Sequence, residues 1–134
     1  MLHDAKKFTY PTSDKFKSKK RIGQLFAKGK TLKSFPLRLI YTPINEEEKV
    51  QRNFGVSVSK RNFRKAVHRN RVKRLMRECY RLNQHLLETP TNKGYALMMI
   101  YQNNELPEFN ALMKATQKLF QKFQIAVSEN PIPS

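Results

Sequence analysis

The sequence predicts an α+β domain in which helices pack on a small central sheet. Residues 53–60, NFGVSVSK, alternate between apolar and polar side chains, as a strand covered on one face does. Residues 94–101, GYALMMIY, form a short apolar run that is typical of a buried strand. Residues 65–88 and the segment after Pro107 instead place their apolar side chains at helical spacing, which predicts two amphipathic helices.

The N-terminal part of the chain predicts one more helix and one or two more strands. Ser18 can cap a short helix with apolar residues at i, i+3 and i+4 that ends at Gly29. LRLIYT, after Pro36, alternates well enough for a strand, and residues 30–50 leave room for a further one. We expect residues 1–134 to form one domain, with residues 1–15 and 128–134 flexible.

Composition indicates the kind of partner. The 134 residues include 27 Lys and Arg against 10 Asp and Glu, and the formal net charge is +17. So large a charge opposes compaction by self-repulsion, so a polyanionic or acidic partner is expected. A single cysteine, Cys79, excludes an intramolecular disulfide, and we find no apolar window of signal-peptide or membrane-span length. The sequence therefore predicts a soluble, cytoplasmic chain.

Much of the positive charge is concentrated in residues 68–81, HRNRVKRLMRECYR, which contain one acid, Glu78. On a helix, one side of this region would be apolar: Val72, Leu75, Met76, Cys79, Leu82 and Leu86. The other side would carry six like charges, and each repelling i, i+4 pair costs about 0.2–0.5 kcal/mol. A phosphate backbone converts the same repulsion into binding through ion pairing and counterion release. We therefore predict a nucleic-acid-binding helix.

The segment SVSKRNFRKAVHRNRVKRLMRECYR, residues 57–81, resembles the protein subunit of bacterial ribonuclease P. AVHRNRVKRLMRE is similar to the arginine-rich motif of that family, with Arg69, Asn70 and Arg71 as its core. RIGQLFAKGK resembles the first family helix. The likeness covers roughly residues 16–125. This chain departs from the family in having one extra residue before the motif and in having Ile22 where many members are aromatic.

The resemblance implies a fold in which a left-handed βαβ crossover carries the arginine-rich helix. It also implies a function: the protein binds a catalytic RNA, and together they remove the 5′ leader of precursor tRNA by endonucleolytic cleavage. The RNA subunit, with Mg²⁺, performs the hydrolysis. On this interpretation the protein has no catalytic residue and binds no cofactor alone, and its partners are the catalytic RNA and precursor tRNA rather than DNA or a membrane.

The resemblance also assigns residues to two sites. The RNA-binding set would be Lys60, Arg61, Arg69, Asn70, Arg71, Lys73, Arg74 and Arg77. A cleft for the single-stranded leader, between the sheet and the first helix, would involve Ile22, Phe26, Tyr41 and Ser57.

Three other functions share some of these features. A ribosomal or other structural RNA-binding protein would have the same charge and size but no role in cleavage. A DNA-binding regulator would usually carry a dimerising heptad segment, and none follows Arg81. A membrane-surface helix would favour Trp or Phe on its apolar side, which lacks both.

The histidines and Cys79 have no metal-ligand spacing.

Overall fold

The computed structural model describes residues 28–44, 52–88 and 94–129, which contain a four-stranded sheet and two long helices. The strands are β1 (Lys30–Ser34), β2 (Leu37–Pro43), β3 (Arg52–Val58) and β4 (Tyr95–Tyr101). The helices are α1 (Ala66–Asn83), which continues into the 3-10 helix Gln84–Leu87, and α2 (Phe109–Glu129). The predicted α+β architecture, with helices packed on a small sheet, is confirmed.

The sheet has the strand order β1-β2-β4-β3. β1 forms an antiparallel hairpin with β2, β2 pairs antiparallel with β4, and β3 pairs parallel with β4. β1 is the further strand for which residues 30–50 left room. Because β3 and β4 are parallel neighbours, α1 forms the crossover between them. The left hand of that crossover stays a prediction.

The two faces of the sheet differ because the strands alternate. Phe54 and Val58 of β3 lie on the face that packs against α1 and α2, as their spacing predicted. Ser57 is paired in register with Ile100 on the opposite face. β4 is a central strand, and its apolar run supplies buried residues to both faces of the sheet. A central strand with two covered faces has no need of polar positions.

The main core lies between the sheet and the two helices. The ring of Tyr80 on α1 stacks on Phe54 of β3, with centroids 3.7 Å apart and planes 7° apart. Phe120 on α2 approaches both rings edge-on. Phe123 makes a similar edge contact with Tyr41 of β2. The prediction that Phe120 and Phe123 belong to the core is therefore confirmed, and these rings fix α1 and α2 on one face.

The buried side of α1 differs from the predicted one in two respects. Tyr80 is fully buried although it was not among the predicted apolar residues, whereas Leu82 is 38% exposed. The α-helix also ends at Asn83 rather than near Glu88. The Asn83 side chain donates to the carbonyl oxygen of Cys79 at 2.8 Å. Such a bond competes with the backbone ladder, and the chain continues as a 3-10 helix.

Some predicted features lie outside the described residues. These are the helix from Ser18, apart from its last residues, the acidic turn at Glu46–Glu48, and the flexible segment 1–15. The same holds for the last residues of the segment 128–134.

Candidate nucleic-acid interface

The outer side of α1 presents a stripe of arginines. Asn70, Arg71, Arg74 and Arg77 are exposed, and Lys73 beside them is half-buried. Their direction is set by the inner side of the helix, where Val72, Met76, Cys79 and Tyr80 are in the core. Because those four residues hold the helix in one rotation, the arginines must face outward. The structure thus brings four of the eight predicted RNA-binding residues onto one surface, which we call the arginine stripe (Asn70, Arg71, Arg74 and Arg77).

Arg69 has a different place from its neighbours. Its Nη1 donates to the carbonyl oxygens of Phe63 at 2.8 Å and of Arg64 at 2.9 Å. Phe63 is itself buried in the main core. Arg69 therefore joins the start of α1 to the loop that precedes it, and part of its hydrogen-bonding capacity is used within the protein.

Arg81, the last basic residue of α1, forms an ion pair with Glu78. Its guanidinium donates to both carboxylate oxygens of Glu78, from Nε at 2.6 Å and from a terminal nitrogen at 2.7 Å. A bidentate pair of this kind satisfies the carboxylate and holds the guanidinium in one orientation. Glu78 therefore offsets the charge of Arg81 and leaves the charges of the arginine stripe in place.

The N-terminus of α1 adds to the positive surface. No side chain caps the helix at Lys65, and the first turn contains no acidic residue. Backbone N–H groups and the helix dipole make such a terminus favourable for an anion. Lys60 and Arg61, both predicted to extend the RNA-binding set, are exposed in the preceding loop, as are Arg64 and Lys65. The loop and the helix start thus form one basic region.

Of the four residues assigned to the leader cleft, the two that the structure describes lie on opposite faces of the sheet. Ile22 and Phe26 lie outside the described residues. Tyr41 is only 5% exposed and packs in the main core, on the face that α1 and α2 cover. Ser57 lies on the opposite face of the sheet. Tyr41 is paired in register with Leu97, which belongs to the main core. Residues paired in register share a face of the sheet, so the Tyr41 side chain points away from Ser57. Tyr41 and Ser57 therefore do not share a face, and the assignment of residues to the leader cleft stays a prediction.

The groups with raised pKa values belong to the core. Burial raises the pKa of the Cys79 thiol to about 11, and it also raises the pKa values of Tyr41, Tyr95 and Tyr101. A thiol with so high a pKa is a poor nucleophile at neutral pH. Among the described residues, no three His, Cys, Asp or Glu side chains are grouped so that they could hold a metal ion. In this part of the chain, charge rather than acid–base chemistry marks the site.

Sequence reasoning missed a cavity of about 480 Å³ at the end of the sheet. Its lining residues come from the loop after β3 and from the end of β4: Ser59, Arg61, Asn62, Ile100, Tyr101 and Gln102. These segments are distant in the sequence and meet only because β3 and β4 are parallel neighbours. The sequence held one local signal of this cavity: polar residues follow both β3 and β4, and the carboxyl ends of parallel neighbouring strands lie at the same end of a sheet.

Comparison with known proteins identifies the family. The family model described as Ribonuclease P matches residues 10–124 of the chain. The ribonuclease P protein component of Porphyromonas gingivalis is 39% identical over 116 residues, or 83% of this chain and 83% of that protein. The chain belongs to the ribonuclease P protein family. The component from Chlorobaculum tepidum is 34% identical over 90 residues, which cover 65% of this chain and 58% of that protein.

Solved structures of the ribonuclease P protein family share the fold. The Staphylococcus aureus protein aligns with a TM-score of 0.68 at 18% identity, covering 84% of this chain and 96% of that one. The Thermotoga maritima protein aligns with a TM-score of 0.65 at 19% identity, covering 81% and 96%. The predicted membership is confirmed. Within the described residues, no helix is both long and apolar enough to cross a membrane.

Proposed function

We propose that this chain is the protein component of a ribonuclease P, which binds the catalytic RNA and the 5′ leader of precursor tRNA and promotes removal of the leader. Its membership of the family supports this function. The single structural observation that carries the proposal is the arginine stripe, since Arg71, Arg74 and Arg77 are exposed together on one side of a helix fixed by the core. The cytoplasm is the proposed location, where a lone thiol such as Cys79 stays reduced.

The arginine stripe is suited to a folded RNA for physical reasons. Each guanidinium is planar and can form two parallel hydrogen bonds to a phosphate, which a lysine ammonium cannot do. Binding to phosphates also releases condensed counterions, which supplies favourable free energy at low salt. Lys60 and Arg61 are exposed in the loop that precedes α1 and add positive charge near its N-terminus. On this proposal the stripe positions the protein on the catalytic RNA.

The chemistry of cleavage falls to the RNA subunit. Mg²⁺ bound by that RNA would supply phosphodiester hydrolysis, and the residues of this chain would contribute binding and orientation. The face of the sheet that carries Ser57 and Gly55 is the proposed leader side, because its small side chains permit close approach of a nucleotide. Phe26 and Ile22 stay predicted neighbours of the leader.

The proposal is tested by reconstitution. The purified chain is mixed with a cognate ribonuclease P RNA and a 5′-extended precursor tRNA at low Mg²⁺, and cleavage is followed on a gel. We expect cleavage of the leader only when both RNA subunit and protein are present. RNA binding without stimulation of cleavage would instead favour a structural RNA-binding protein.

A further inference from the structure

The hairpin between β1 and β2 carries Phe35, whose side chain is 76% exposed. Among the described residues it has the highest exposed fraction of the large apolar side chains. The other exposed ones, including Val67 and Ile125, are aliphatic. An aromatic ring exposed to water at a hairpin tip is not stabilised by burial, as most aromatic side chains are. The bases of single-stranded nucleic acids stack on exposed aromatic rings of this kind.

Backbone contacts fix the position of this hairpin tip. The N–H of Gln102 donates to the carbonyl oxygen of Pro36 at 2.7 Å. Leu37, the first residue of β2, is paired in register with Tyr101, the last residue of β4. Because these bonds tie the tip to the end of β4, Phe35 is presented at a defined place on the protein.

That place adjoins the cavity at the end of the sheet. Gln102, which holds the tip, also lines the cavity, and so does Tyr101. The opposite wall comes from Ser59, Arg61 and Asn62 in the loop after β3. The exposed ring and the cavity therefore belong to one surface, with a cationic side chain on its far side.

A second cationic side chain, that of Arg38, lies at the same end of the sheet as the cavity. Arg38 is paired in register with Ile100, which lines the cavity, and with Lys33 on β1. Within the described part of the chain, the buried Nε of Arg38 has no hydrogen-bond partner. A buried donor without an acceptor is unfavourable, and an anionic ligand at this end of the sheet would relieve it.

We propose that the end of the sheet binds an unpaired nucleotide of single-stranded RNA, with its base stacked on Phe35 and its phosphate held by Arg38 and Arg61. An aromatic face accepts any base, so this contact would add affinity with little sequence preference. The inference deepens the proposed function, on which it rests: the nucleotide would belong to the leader of precursor tRNA. It adds an aromatic contact on the hairpin to those predicted for the cleft.

Tryptophan fluorescence tests the stacking contact directly, since the chain contains no Trp. The variant Phe35→Trp places one reporter at the hairpin tip, and Ile125→Trp places one on α2 as the matched control, at a residue that is 57% exposed. Each variant is titrated with a short single-stranded RNA and with an abasic strand of the same length. Binding of both strands is followed in parallel by anisotropy of a label on the strand.

We expect the RNA to quench the Phe35→Trp variant and to leave Ile125→Trp unchanged, while the abasic strand quenches neither. Saturating binding of RNA by anisotropy without quenching of Phe35→Trp would overturn the proposal. Equal quenching by the abasic strand would also overturn it, because no base would then be stacked on the ring.

The reconstituted enzyme separates this inference from the proposed function. Phe35→Ala should raise KM for precursor tRNA about five- to tenfold, the low end for loss of one stacked base, without changing kcat. Phe35→Tyr should restore KM, and Phe35→Leu should not. Wild-type kinetics for Phe35→Ala in an active enzyme would refute the stacking contact alone. Absence of cleavage with the wild-type chain would refute the proposed function, and the fluorescence titration would still decide whether Phe35 stacks on a base.

Discussion

Neighbouring arginines on α1 have different physical roles. Arg71 is exposed on the arginine stripe, whereas the guanidinium of Arg69 donates to two backbone carbonyl oxygens of the preceding loop. Hydrogen bonds from a charged donor are stronger than neutral ones, but solvent weakens them at a partly exposed site. Arg69 therefore contributes to the stability of the loop as well as to the basic surface, and Arg71 contributes to the surface alone.

Replacing each arginine separates these roles. Arg69→Ala should lower the free energy of unfolding by about 1 kcal/mol, since the bonds to Phe63 and Arg64 are lost. Arg71→Ala should change it by less than about 0.5 kcal/mol. Both variants should bind RNA less tightly. Urea unfolding of the two variants checks the difference, and an equal loss of stability would show that the Arg69 bonds contribute nothing.

Cys79 predicts a dependence of stability on pH. The pKa of its thiol is raised from 9.0 to about 11: desolvation by burial is the main cause, the charge of Glu78 also raises it, and the hydrogen bond with Thr116 opposes both. Below pH 9 the thiol is protonated in both the folded and unfolded chain. Above pH 9 the unfolded chain ionises first, so its free energy falls relative to that of the folded chain. Stability should therefore decrease from about pH 9 to about pH 11.

The Cys79→Ala variant isolates this contribution. It should be less stable than the wild type at pH 9 because it loses core packing, yet its stability should fall less steeply up to pH 11. The buried tyrosines, whose pKa values are also raised, will leave some slope in both proteins. Urea unfolding across this pH range gives the two slopes, and identical slopes would contradict the assignment to Cys79.

At the scale of the elements, aromatic side chains hold α1 against the sheet and α2. Tyr80 stacks on Phe54 of β3, and Phe120 of α2 meets both rings. This contact joins α1, α2 and the sheet at one point. Because it sets the rotation of α1 about its axis, it also sets which residues form the arginine stripe.

Truncating the Tyr80 side chain should therefore weaken the packing of α1 on the sheet and on α2. Tyr80→Ala should lower the free energy of unfolding by about 3–5 kcal/mol, and Leu82→Ala, on the same helix but 38% exposed, by less than about 1 kcal/mol. Thermal and urea unfolding measure both. A loss of similar size in the two variants would mean that the stacked pair does not anchor α1.

The sequence predicted much of the whole molecule, and the misses have physical reasons. Periodicity located β3, β4, α1 and α2 because each has one strongly apolar side or is apolar throughout. Tyr80 was missed because tyrosine occurs on buried and exposed sides alike, and only the stacking partner decides. Tyr41 was named for the leader cleft from the family resemblance and not from strand alternation, which is why its place in the main core was not foreseen. The cavity was missed because it joins two distant loops.

The net charge of +17 raises a question for the whole molecule, since any basic surface attracts RNA. Lysines are exposed on α2 as well, at Lys114 and Lys118. If bulk charge governed binding, the arginine stripe would have no special role. The central claim is that affinity for the catalytic RNA depends on where the charge lies.

One comparison tests this claim most directly: the dissociation constant for a cognate ribonuclease P RNA, measured at moderate salt for two double variants. One carries Arg71→Glu and Arg74→Glu; the other carries Lys114→Glu and Lys118→Glu, and both change the net charge equally. We predict a loss of about 100-fold or more for the arginine pair, from about 1.5–3 kcal/mol per charged hydrogen bond, and only a few-fold loss for the lysine pair. Equal losses, with both variants folded, would contradict the account.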